Sequence, residues 1–162
     1  MNIAPTDFIS CRNLQSVLEF SLSRAMALSG TGLGNIQLVD WKTGRMTIAA
    51  QFGFQERFLS FFRHVIATDL CACGRALRTR NTVLIEDVDQ DEDLHGCRTI
   101  LREAGVSAVQ STPLISSSGA LLGILSTHFG APHRPVMREL EDLKLWARET
   151  KRYYIFEGEC SR

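Results

Sequence analysis

Cys71 and Cys73 stand one residue apart, and His95 and Cys97 follow some two dozen positions later. A cysteine thiolate is both a nucleophile and a soft metal ligand. Structural zinc sites place two to four residues between paired cysteines, so Cys71-Ala72-Cys73 does not read as one and no metal is expected. His128 lies in the run Gly123–Phe129. A histidine there can titrate near neutral pH or ligate a metal, although a lone strand histidine is more often a hydrogen-bonded structural residue. Arg75 is followed in sequence by the acidic run Glu86, Asp87, Asp89, Asp91 and Asp93, and can pair with an anionic ligand or with Asp87. That acidic run lacks the glycine and terminal glutamate of a calcium loop. Gly30-Thr31-Gly32-Leu33-Gly34 precedes a strand instead of opening a helix, so it reads as a linker and not as a phosphate cradle. No Ser-His-Asp set or paired carboxylates can be assembled, so no catalytic residue is expected, and the cofactor stays unknown.

Hydrophobic spacing predicts the elements that carry these side chains. Leu14, Val17, Leu18, Leu22, Ala25 and Met26 form one helical stripe between Asn13 and Leu28, stopped by Gly30. Residues 35–39 and 46–50 read as two strands around a loop in which Gly44 takes positive φ. Phe58, Leu59, Phe62 and Val65 predict an aromatic helical stripe. A short helix capped by Thr68 or Asp69 carries Cys71, Cys73, Ala76 and Leu77. Thr82–Val88 reads as a strand. Leu94, Cys97, Leu101 and Ala104 then predict a helix ended by Gly105. Residues 106–115 and 120–129 form a hairpin, and Pro132 and Pro135 open a last helix with Met137, Leu140, Leu143, Ala147 and Tyr154 in its stripe. Two hairpins among mixed helices predict an α+β domain with a largely antiparallel sheet.

The chain has 162 residues, with 18 Lys and Arg balanced by 18 Asp and Glu. That length fits one domain able to bury a core without a metal or disulfide staple. The charge balance gives no footprint for nucleic acid. No apolar run is long enough to span a membrane, and the N-terminus does not read as a secretory signal. Five cysteines without framework spacing predict free thiols in a reducing cytoplasm.

If the last hairpin pairs Ile115 with Ala120, then Leu114 opposes Leu121 and Gln110 opposes Leu125. Val109, Ser111, Ile115, Leu122, Ile124, Ser126 and His128 then share one sheet face. Ala108, Gln110, Thr112, Leu114, Leu121, Gly123, Leu125, Thr127 and Phe129 share the other. Both faces are expected to be covered, because each carries apolar side chains. A concavity with a few polar anchors is the usual form of a small-molecule site. It is expected on the Ser111, Ser126 and His128 face, under the middle helices, with Cys73, Arg75 and Asp87 at its rim.

The series Cys73-Gly74-Arg75-Ala76-Leu77, Val83–Val88, Gln110-Ser111-Thr112-Pro113-Leu114 and Gly123–Phe129 resembles the GAF family of small sensory domains, over about residues 34–147. The resemblance implies a central six-stranded antiparallel sheet with helices on both faces. It also implies a domain that holds a small ligand or mediates dimerisation beside a signalling output module. Free-methionine-sulfoxide reductases share that fold, and Cys73-Gly74 with His95-Gly96-Cys97 is similar to their cysteine pattern. Where those enzymes have a Ser-Glu-Ile-Val-Val-Pro-type strand, this chain has Ala108-Val109-Gln110-Ser111-Thr112-Pro113, without the substrate-binding carboxylate. The motifs of bilin-binding relatives beside Cys97 are missing too, so an enzyme is not expected.

The sequence therefore predicts an N-terminal arm over 1–10, one GAF-like domain over 11–157 and a tail over 158–162. It predicts a cytoplasmic sensory or regulatory domain, with an unknown small-molecule ligand. A homodimer is expected through residues 11–28 and 136–156. The output is expected in that dimer or in a signalling partner such as a histidine kinase, with no nucleic acid and no membrane. The alternatives are a ligand-free dimerisation module and a thiol enzyme.

Overall fold

Helix α1 (Leu14–Ser29) begins where Asn13 supplies a cap, its side chain accepting from the Ser16 amide at 2.9 Å. It ends at Gly30, in left-handed backbone with φ of 67°, whose own amide donates to the Ala27 carbonyl while the Thr31 amide donates to that of Met26. The computed structural model describes residues 13–116, 118–138 and 141. The expected arm over 1–10, the C-terminal helical stripe beyond 138 and the tail over 158–162 lie outside the described residues, apart from Glu141.

From α1 to the last strand the elements follow in the order α1, β1 (Leu33–Asp40), β2 (Arg45–Phe52), α2 (Glu56–Phe61), β3 (His64–Val65), α3 (Ala72–Thr79), β4 (Val83–Ile85), a 3-10 turn (Glu92–Gly96), α4 (Arg98–Glu103), β5 (Ala108–Ile115) and β6 (Leu121–Phe129), and Met137, Arg138 and Glu141 after them are helical. The strands form one antiparallel sheet in the order β3-β2-β1-β6-β5-β4. The α+β class is as the hydrophobic pattern predicts, and the six-stranded antiparallel sheet is as the family resemblance implies.

The two sheet faces carry separate cores. On one, Val17, Leu18, Leu22 and Ala25 of α1 pack on Ile36, Ala50, Leu114 and Leu125. On the other, Phe54, Phe58, Phe62, Ala72, Ala76, Leu94 and Leu101 pack on Met46, Ile85, Val109 and Ile124. Apolar burial of this extent, at about 25 cal/mol per Å², is what fixes the helices to the sheet. β1 and β6 meet in the middle, Leu33 opposite His128 and Leu38 opposite Gly123. Gly123 is required there, because a Cβ on it would lie 2.1 Å from the Gln37 carbonyl oxygen.

Several local expectations are corrected. Ile115 pairs with Leu121, Leu114 with Gly123 and Gln110 with Thr127. The pairing is displaced by two residues from the expected one along most of the hairpin, with an irregularity at Leu114/Ile115. A two-residue displacement preserves side-chain alternation, so Ser111, Ser126 and His128 keep their common face. The irregularity exchanges only Leu121 and Leu122: Leu121 joins the α3 side and Leu122 the α1 side. The aromatic stripe is not one helix, since α2 ends at Phe61 and Val65 lies in β3. α3 is capped by the backbone of Cys71, while the Asp69 carboxylate instead accepts from the Ile66 amide at 2.8 Å.

Candidate functional site

The site is built on the sheet face away from α1. β6 directs His128 into that side, where its ring meets Phe54 edge-on at 4.9 Å between centroids and Phe58 at 5.8 Å. Phe54 and Phe58 stack on each other at 3.7 Å, so the imidazole abuts a rigid aromatic wall. Burial pushes the His128 pKa down from 6.5 to about 3, which keeps the ring neutral.

Beside His128, β1 contributes Asn35 and Gln37, alternate residues whose side chains share its face. Together with Phe58, Phe62, Cys71, Ala72, Cys73, Ile85, Leu94, Leu101 and Val109 they line an internal cavity of about 20 Å³. Gln37 Nε2 donates to the Phe62 carbonyl at 3.2 Å, which fixes the amide with its oxygen free. Gln37 Oε1, Asn35 Oδ1 and His128 Nδ1 are all buried without a hydrogen-bond partner among the described residues. Unpaired buried polar atoms each cost about 1–3 kcal/mol, so three around one cavity mark a place where something polar belongs. A space of that size holds one water or the tip of a larger molecule.

A second, open cavity of about 410 Å³ adjoins the first. Phe61, His64, Asp69, Leu70, Asp93, His95 and Cys97 are among its walls. Phe62 and Cys71 line both cavities and so form the partition between them.

The residues singled out from sequence divide. His128 and Cys73 line the inner cavity. Ser111 and Ser126 share the face of His128 but are closed on each other by a 2.8 Å hydrogen bond. Arg75 turns toward the acidic loop: it holds Asp91 through two contacts of 2.8 and 3.4 Å and Asp93 at 3.4 Å. It does not pair with Asp87, whose carboxylate accepts from the Asp89 amide at 2.9 Å. Neither Arg75 nor Asp87 lines these two cavities. Cys97 lines only the outer one, and burial raises its thiol to about 11. Among the described residues no cluster of three or more His, Cys, Asp or Glu could hold a metal, and no helix is long and apolar enough to cross a membrane.

Asn35 and Gln37 were invisible as site residues in the sequence. Alternating polar residues in a strand usually mark its solvent side. Only the central position of β1, between β2 and β6, places them inside.

The comparisons with known proteins converge on one fold. The family model described as GAF domain matches residues 11–147. A domain described as part of a two-component sensor histidine kinase from Sinorhizobium meliloti 1021 is 19% identical, with a TM-score of 0.73 over 97% of this chain and 94% of that one. The GAF domain of a phosphoenolpyruvate-protein phosphotransferase from Coxiella burnetii is 14% identical, with a TM-score of 0.78 over 97% and 92%. Free methionine-R-sulfoxide reductase from Neisseria meningitidis, in complex with its substrate, is 17% identical, with a TM-score of 0.77 over 96% and 86%. At these identities the likeness is one of fold. No curated protein matches the chain in sequence.

Proposed function

The chain belongs to the GAF domain family, and from that premise we propose that it is a sensory or regulatory domain whose ligand is a small, uncharged polar molecule. Domains of this family commonly serve sensory and regulatory roles in signalling proteins. The reading is carried by one observation: Asn35 Oδ1, Gln37 Oε1 and His128 Nδ1 are buried without a partner, and all three residues line the inner cavity. The fixed Gln37 amide offers an acceptor, so the buried tip of the ligand is a hydrogen-bond donor such as a hydroxyl or amide N–H. A charged tip is disfavoured by the apolar walls Ile85, Leu94, Leu101 and Val109. The body of the ligand occupies the outer cavity, reached by a shift of Phe62 and Cys71.

In this proposal His128 is the anchor and Cys73 a wall. Ser111 and Ser126 are the floor behind the anchor, and Arg75 and Asp87 shape the loop over the site. The domain carries out no turnover. It works in a cytoplasmic setting as a homodimer through residues 11–28 and 136–156, and passes its state to a signalling partner such as a histidine kinase. Signalling requires the ligand to favour one arrangement of the helices over another.

Native mass spectrometry of the freshly purified chain tests this, with a denatured control. The expected result is a dimer carrying a non-covalent mass that denaturation releases, and that Gln37→Leu loses while its circular dichroism is unchanged. A bare mass in both conditions would overturn the ligand and leave the dimerisation module. A monomer carrying the added mass would overturn the dimer alone.

A further inference from the structure

Cys71 and Cys73 are free thiols whose sulfurs lie 3.6 Å apart. Neither sulfur is used by the ligand reading, which needs them only as wall. Cys71 is the residue immediately before α3, with extended backbone, and it lines the open outer cavity. Cys71 is itself only 8% exposed, so the outer cavity is the route by which a small solute would approach it. Residues two apart span at most about 7 Å of chain. That reach overlaps the Cα separation of about 4.4–6.8 Å that a disulfide needs, so the pair can close without moving a second element.

We propose that Cys71 and Cys73 form a dithiol site for small hydroperoxides, in which Cys71 is the sulfur attacked first and Cys73 closes it to a disulfide. The Cys71 thiolate attacks one oxygen of hydrogen peroxide. The O–O bond breaks, the sulfur is oxidised by two electrons to a sulfenic acid, and the departing hydroxide takes up a proton to leave as water. The Cys73 sulfur then attacks the sulfenic sulfur. The S–O bond breaks, the hydroxyl leaves with the Cys73 proton as a second water, and the Cys71–Cys73 bond forms. Two thiols and one peroxide become one disulfide and two waters.

The local chemistry supports this division of roles. The Cys73 thiol, hydrogen-bonded to Cys71, holds the Cys71 pKa below the ordinary thiol range, against the opposing pull of burial. The same contact and burial push Cys73 well above that range. Cys71 is thus the better thiolate and Cys73 the proton-bearing partner. Cys97 shares the outer cavity but is held protonated by burial, so it is not the competing nucleophile.

The test is peptide mapping of the reduced full-length chain after an equimolar pulse of hydrogen peroxide, alkylation and trypsin digestion. Cleavage after Arg63 and Arg75 puts Cys71 and Cys73 in one peptide and leaves Cys97 in the peptide that ends at Arg98. The expected product is the 64–75 peptide lighter by two hydrogens, unalkylated and restored by dithiothreitol, with Cys97 still alkylated. Cys73→Ser should stop at a sulfenic acid on Cys71 that dimedone traps. Cys71→Ser should slow oxidation of Cys73 by roughly tenfold or more. Full alkylation of both cysteines after the pulse, or a disulfide from either to Cys97, would overturn the proposal. The wild-type mapping decides the matter even if a variant fails to fold.

Discussion

Acidifying the protein should unfold it early, through one imidazole. His128 titrates near 6.5 in an unfolded chain and at about 3 when buried in the folded one. Between those values the unfolded chain binds a proton that the folded chain refuses. Stability is therefore whole above about pH 7, falls as the pH drops through that window, and levels off once the folded pKa is passed. The full shift corresponds to about 5 kcal/mol at 1.36 kcal/mol per pH unit. By about pH 5 the loss is about 2 kcal/mol, a large share of a typical domain's stability. The exposed Asp40 and Asp89 are held below the usual carboxylate range by their hydrogen bonds, with Lys42 and Arg102 respectively. Urea denaturation followed by circular dichroism at about pH 8 and about pH 5 should show a midpoint lower by about 1 M at the acid end. His128→Gln keeps a neutral polar side chain and should remove most of that difference. Superimposable pH dependence in wild type and His128→Gln would refute the reasoning. So would an NMR titration of the wild-type His128 ring with a midpoint near 6.5 in the folded state.

Gly123→Ala should cost about 3 kcal/mol or more, or prevent folding, because its Cβ would lie 2.1 Å from the Gln37 oxygen. Gly32→Ala, with nothing within 4 Å of the added carbon, should stay within about 0.5 kcal/mol by the same denaturant titration. Arg75→Ala should lower stability by about 1–2 kcal/mol, since Arg75 and Asp91 are 16% and 21% exposed and their pair is only partly screened. An unchanged melting temperature would show that the loop over the site holds without it.

The elements were legible where one local rule decided them. Asn13 before an apolar stripe, Gly30 after it, Gly44 in the first hairpin and Gly105 after α4 all do in the structure what their chemistry requires. The Gln110 to Thr127 pairing was not legible, because the register is fixed by the hairpin and its irregularity and not by any single residue. The common face of Ser111, Ser126 and His128 survived because strand alternation is insensitive to a two-residue slip. Two further facts were beyond a one-dimensional reading. Asn35 and Gln37 become buried only when β6 arrives from the far end of the chain. Arg75 meets Asp91 and not Asp87 because the 3-10 turn carries the later acidic residues back over α3.

The pairing of β1 with β6 has a consequence for how the molecule comes into being. Its partners lie about 90 positions apart, so closing that contact carries an entropy cost of about 4 kcal/mol before any hydrogen bond rewards it. β1 with β2, and β5 with β6, can form as local hairpins, each on a microsecond scale. Long-range pairing must meet that cost before its contacts reward it, so joining the two hairpins should be the slowest step. Asn35 and Gln37 stand on one side of that junction and His128 on the other. The polar cavity is complete only once the two hairpins have joined, so whatever fills it fastens the two halves of the chain together.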